Sequence, residues 1–155
     1  WLKDNFLKQK TLSNKKNIRK IYIDRNDKTS GRLPQRSIAN EDEVKKYLLN
    51  NNFTSIKLHD MKFNDQVELF YNAECIVGLH GGGFANLVFC RPGTKVIELR
   101  SSTAGAPIEN LAKKNKLNYS SITVEAKQFE KFDFPNQQGS IQIPISSLIR
   151  VLKDI

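Results

Sequence analysis

Apolar positions along the chain alternate between two periods. NIRKIYID ends in Ile21, Tyr22 and Ile23, a short β-rich run that predicts a buried strand. EDEVKKYLLNNN then places Val44, Tyr47 and Leu48 at helical spacing, with asparagines to end it. FTSIKLH alternates as a strand, and Phe63, Val67, Phe70 and Tyr71 line one side of an amphipathic helix in FNDQVELFYNAE. CIVGL predicts the next buried strand and GFANLVFC the next helix, and TKVIELR forms a strand after the Pro92-Gly93 turn. APIENLAKKNK reads as a helix, NYSSITVE as a strand and PISSLIRVLKDI as a closing helix. Strands alternating with helices of this length predict right-handed βαβ units. The expected class is α/β: a Rossmann-like three-layer αβα fold with a mostly parallel sheet of about five strands. Residues 127–143, KQFEKFDFPNQQGSIQI, lack a period and read as a loop. Residues 1–17 read as a basic helical linker from an upstream domain, leaving 18–155 as one domain.

Composition narrows this picture. A chain of 155 residues suffices for one core. No apolar run approaches the roughly 18 residues of a membrane span. The opening WLKDNFLKQK carries charges where a signal peptide would be apolar, and no initiator Met is present, so a piece of a longer protein is expected. Cys75 and Cys90 make no disulfide framework and no metal-like spacing, which favours a reducing cytoplasmic setting, with the membrane surface as a further placement. The formal charge of +9 is concentrated early: residues 1–32 hold ten Lys/Arg against three Asp/Glu. Such a bias calls for an anionic partner or belongs to a solvated lysine-rich helix.

The most specific stretch is CIVGLHGGGFANLVFCRPGTKVIEL. Consecutive glycines lose much backbone entropy on folding, so Gly81, Gly82 and Gly83 need a reason. Between a strand and a helix they read as a phosphate-approach loop, where a ligand meets bare backbone and the positive end of a helix. A tight turn without ligand is the bland alternative. Glu98, ending the next strand, is placed as ribose-binding carboxylates are in dinucleotide folds. His80 just before the glycines reads as a donor to phosphate or sugar, or as a histidine satisfied by a backbone carbonyl. No Walker pattern follows, Asn86 stands where a Rossmann fingerprint has its third small residue, and no G-x-S-x-G elbow accompanies HGGG.

The second constellation is YIDRNDKTSGRLPQRSIANEDEV. Arg25 follows a strand end, and Arg32 and Arg36 lie in the loop beyond it. Guanidinium forks match phosphate oxygens, and two converging on a diphosphate would do electrostatically what a metal does elsewhere. Asn40 and Glu43 form a capping-box pattern, with Asn40 open to a second role at the ligand. Asp24 and Asp27 give D-x-x-D, not the D-x-D of metal-dependent sugar-nucleotide sites, so no metal is expected.

Together, IYIDR…RSIANEDEV and FNDQVELFYNAECIVGLHGGGFANLVFCRPGTKVIEL resemble the family 61 glycosyltransferases over residues 18–100. That group includes capsular-polysaccharide biosynthesis proteins, plant β-1,2-xylosyltransferases and protein O-linked N-acetylglucosaminyltransferases. The matching positions are Arg25, Arg36, Asn40, Glu41, Gln66, His80, Gly81, Gly83, Asn86 and Glu98. Asp24 stands where the pattern has serine, and Gly82 where it has alanine. The resemblance implies the C-terminal donor-binding half of an inverting GT-B-type enzyme that uses a nucleotide-diphosphate sugar as substrate and no cofactor. The donor site would comprise Arg25, Arg36, Asn40, His80, Gly81, Gly82, Gly83, Asn86 and Glu98. It also implies a glycan or other hydroxyl acceptor held by a missing N-terminal domain. Rival expectations are a basic nucleic-acid-binding module, disfavoured because no such motif occurs, a nicotinamide-dependent oxidoreductase, and a domain that kept the fold without activity. Arg25 and His80 meet across one ligand if the strand order is 2-1-3-4-5. They are separated if it is 3-2-1-4-5, and the sequence allows both.

Overall fold

A computed structural model describes residues 18–25, 36–127 and 139–153. The expected linker at 1–17 lies outside them, as do Asp27 and Arg32. Five strands form the main sheet: β1 (Lys20–Ile23), β3 (Thr54–Ile56), β4 (Cys75–Leu79), β5 (Lys95–Ser101) and β6 (Asn118–Val124). They lie in the order β3-β1-β4-β5-β6, and every pairing is parallel. In chain order this is 2-1-3-4-5. The sheet reverses direction of growth between β1 and β4, which opens a crevice at their carboxyl ends.

Period-two burial splits the core into two layers. Ile21, Ile23, Ile76 and Val96 face one side with Val67 and Phe70 of α2 (Phe63–Asn72) and Ile108 and Ala112 of α3 (Pro107–Lys114). Tyr22, Val77, Leu79, Ile97 and Leu99 face the other side with Val44 and Leu48 of α1 (Glu41–Asn50) and Leu148 and Leu152 of α4 (Ile145–Leu152). Burying each large side chain contributes on the order of 1.5–3 kcal/mol, so two filled faces hold the three layers together. Pro107 opens α3, where its missing N–H costs nothing, and Lys113 and Lys114 close it against the helix dipole.

Two expectations need correction. GFANLVFC forms a 3-10 segment, Gly82–Phe89, not an α-helix; its eight residues bury Phe84, Leu87 and Phe89 in a tighter winding. Residues 127–143 are not simply a loop, because a second sheet runs β2 (Arg36–Ile38), β8 (Gly139–Ile141) and β7 (Ala126–Lys127). β2 pairs with β8 in parallel, and β7 with β8 antiparallel. Gly139 has φ 122°, and a Cβ there would lie 2.6 Å from the Lys127 carbonyl oxygen, so only glycine lets β7 and β8 approach. Ile38 and Ile141 anchor this small sheet on the α1–α4 side of the core.

Candidate active site

The crevice between β1 and β4 brings together residues 44 and 55 positions apart. Arg25, immediately beyond β1, donates from Nη1 to the His80 carbonyl oxygen at 3.0 Å. Arg36, at the start of β2, donates from its own Nη1 to the same oxygen, also at 3.0 Å. Among the described residues no carboxylate forms an ion pair with either guanidinium. Burial, and then the charge of Arg25, pulls the Arg36 pKa below its usual value. Two cations sharing one neutral acceptor make a site that an anion would relieve.

The three glycines have three different surroundings. A Cβ on Gly81 would stand 2.7 Å from Arg25 Nη1, so the bare Cα is what lets the guanidinium lie against the turn. A Cβ on Gly83 would meet Ile23 at 3.1 Å and Leu58 at 3.2 Å, which makes that glycine a packing residue. At Gly82 a Cβ would meet nothing within 4 Å. Of the three glycines only Gly82 therefore leaves open space beside the backbone, where the 3-10 segment begins and its first N–H groups have no acceptor within the segment.

His80 and Glu98 depart most from expectation. Glu98 is fully buried, on the same sheet face as Val96, and so offers no oxygen to a ribose directly. One carboxylate oxygen meets His80 Nδ1; the other accepts from the Tyr119 hydroxyl and lies 3.8 Å from Arg100 Nη1. Tyr119 and Arg100 escaped the sequence reading. Their signal was the period of two, which puts Glu98 and Arg100 on one face of β5, but nothing local shows that Tyr119 of β6 reaches across.

The remaining candidates act as ties. The Asp24 carboxylate lies 2.5 Å from Lys45 Nζ and 3.1 Å from Ser55 Oγ, so its charge is neutralised on the α1 side. Asn40 brackets Ile143, accepting its N–H and donating to its carbonyl, both at 2.9 Å. Its side chain makes no capping bond to α1, so the capping box does not form; its amide instead donates to Glu43. Asn86 donates to Gln66 Oε1 at 2.8 Å, and Gln66 holds the Leu58 and Met61 carbonyls, fastening the 3-10 segment to the turn before α2.

Glu41, half-buried at the start of α1, accepts from Tyr22 Oη at 3.0 Å. Burial raises its pKa, against the Tyr22 hydrogen bond, which lowers it. A carboxyl whose pKa is raised by folding favours the folded state most when protonated, and that contribution fades as pH climbs from the ordinary glutamate range through the raised value. Glu41→Gln should therefore gain stability relative to the unsubstituted chain between pH 4 and pH 7. Urea midpoints at the two pH values check this; a relative loss on going to pH 7 would contradict it.

A small open cleft runs beside these groups, lined by Arg36, Ser37, Leu79, His80, Ser101, Ala104, Gly139 and Ile141. The small sheet thus supplies one wall of the crevice. Among the described residues, no three His, Cys, Asp or Glu side chains cluster as metal ligands, and no helix is long and apolar enough to cross a membrane.

A parallel sheet in this order, with two arginines and a glycine turn at its switch point, defines a Rossmann-like α/β domain. The family model for glycosyltransferase 61 matches residues 1–97, well over half of the chain, and the chain belongs to that family. Its chemistry is accordingly glycosyl transfer. The match takes in Arg25, Arg36, His80 and the three glycines and stops one residue short of Glu98. A search among curated proteins gave no significant match.

Proposed function

We propose that this chain is the donor-binding, C-terminal half of a GT-B-type glycosyltransferase and that it binds a nucleotide-diphosphate sugar in the β1–β4 crevice. The observation that carries the reading is the convergence of Arg25 and Arg36 on the His80 carbonyl, next to the open backbone of Gly82. The diphosphate lies against the two guanidinium forks and the first N–H groups of the 3-10 segment. Transfer is a single displacement with inversion at the anomeric carbon: the acceptor oxygen forms the new bond as the bond to the diphosphate breaks. Negative charge grows on the departing diphosphate, and donors already aimed there lower the barrier without reorganising. The acceptor proton goes to a base on the acceptor-binding domain, so the chain alone binds nucleotide and turns over little. The donor itself is the substrate, and no cofactor or metal enters the reading. Resemblance to capsular-polysaccharide proteins supports a role in cell-surface polysaccharide synthesis, at the cytoplasmic side of the membrane.

Isothermal titration with UDP, GDP, CMP and NAD tests this. UDP or GDP is expected to bind and CMP, with a single phosphate, to bind more weakly. No heat above background, or binding of NAD alone, would defeat the reading.

A further inference from the structure

His80 is held from two sides. Its carbonyl takes the two arginines, while its ring sits against a carboxylate with no exposed surface. A charge in that position is costly unless paired and hydrogen-bonded. Arg100 supplies the counter-charge at 3.8 Å and is itself fastened to the Ala104 carbonyl. Tyr119 keeps its proton, because burial and Glu98 push its pKa up to about 12, so its hydroxyl donates to Glu98 Oε2. Oε1 is left for His80 Nδ1. An ionised carboxylate only accepts hydrogen bonds, so Nδ1 must carry the hydrogen. In the neutral ring Nε2 is then a lone pair and cannot donate to phosphate. The side chain is 5% exposed, His80 is one of the residues that line the cleft, and among the described residues Nε2 has no hydrogen-bond partner.

We propose that Glu98, Tyr119 and Arg100 are positioning residues that lock His80 as its Nδ1–H tautomer, so that Nε2 accepts a hydrogen bond from a ribose hydroxyl of the bound nucleotide. The proposal rests on the nucleotide-sugar reading above. It changes the sequence expectation for Glu98: from the middle of β5 the carboxylate acts on ribose through an imidazole instead of touching it. Glu98 and Tyr119 do not meet the ligand in this reading, so their effect must show in the ring's tautomer.

The chain has two histidines, so heteronuclear NMR with labelled histidine resolves His80 once a His59 variant assigns the other. In the free chain at neutral pH, His80 is expected as the Nδ1–H tautomer. An Nε2–H or evenly mixed ring overturns the lock. UDP should shift the Nε2 signal. A UDP analogue lacking both ribose hydroxyls should leave it in place and bind roughly tenfold more weakly, the value of about one hydrogen bond to a strong acceptor. Equal shifts, or equal affinities, overturn the ribose contact. In Glu98→Gln the amide oxygen stays with Tyr119 and Arg100, which turns the NH2 toward Nδ1. The tautomer should reverse; a ribose hydroxyl can also accept from Nε2–H, so the tautomer and not the affinity ratio is what this variant reads. If Glu98→Gln does not fold, the unsubstituted chain still decides both points. If calorimetry detects no UDP binding at all, the nucleotide reading fails, and the tautomer in the free chain separately judges the lock.

Discussion

Replacing Arg25 and Arg36 together by alanine is expected to remove UDP binding while leaving the fold standing. Each guanidinium would make charge-assisted hydrogen bonds worth roughly 1.5–3 kcal/mol, so losing both weakens binding by about two to four powers of ten. The fold has little to lose. Each arginine makes one hydrogen bond to the His80 carbonyl, and that oxygen borders an open cleft where water can replace them. Removing both also removes the mutual repulsion that helps pull down the Arg36 pKa. Lysine at either position should restore part of the affinity, since it keeps the charge and loses the fork. Titration calorimetry and thermal melts read the two effects separately. Affinity within threefold of the unsubstituted chain, at an unchanged melting temperature, would move the diphosphate elsewhere.

What the sequence disclosed, and what it withheld, follows from the range of each interaction. Strands β1, β4 and β5 and the helices between them were legible because each buries its own apolar run, and β3 and β6 because they sit within the longer runs FTSIKLH and NYSSITVE. The second sheet was not. β2, β7 and β8 have two or three residues each, too few to show alternation, and β2 finds β8 about a hundred residues downstream. A three-residue strand is chosen by its partner, and propensity has little influence on it. Arg25, Arg36 and His80 were recognisable singly, from their places beside strand ends and glycines. Their meeting depended on which edge of β1 receives β3 and which β4, and no stretch of sequence encodes that locally. Glu98 shows the opposite failure. The sequence reading put it at a strand end and exposed to ligand; it lies instead at the middle of β5, Lys95–Ser101, where Tyr119 and Arg100 cover it from β6 and from its own strand. Its companion on β4 is Gly78, directly opposite in register, where Ile23 and Phe84 would come within 3.2 Å of any added Cβ. Carboxylate, imidazole and tyrosine therefore meet in a space that no single motif describes.

The glycine turn allows the sharpest separation of folding from binding, because its three positions fail in different ways. Gly81→Ala puts a methyl group 2.7 Å from Arg25 Nη1, closer than real side chains pack. The obstacle is the tip of a long flexible side chain, so the arginine should swing away, and the Cβ adds backbone strain at φ 159°. The expected result is a loss of UDP affinity close to that of Arg25→Ala, roughly tenfold or more, with a melting temperature lowered by that strain. Gly83→Ala meets Ile23 and Leu58, which are core side chains, and overpacking there costs about 1–3 kcal/mol of stability. Gly82→Ala meets nothing in the protein, so any loss of binding there reports the methyl group's clash with a ligand. Combining Gly81→Ala with Arg25→Ala should be no worse for binding than Arg25→Ala alone, since the glycine acts only through the arginine. Additive losses in that double variant would mean that Gly81 itself touches the diphosphate, and the division of labour among the three glycines would have to be redrawn.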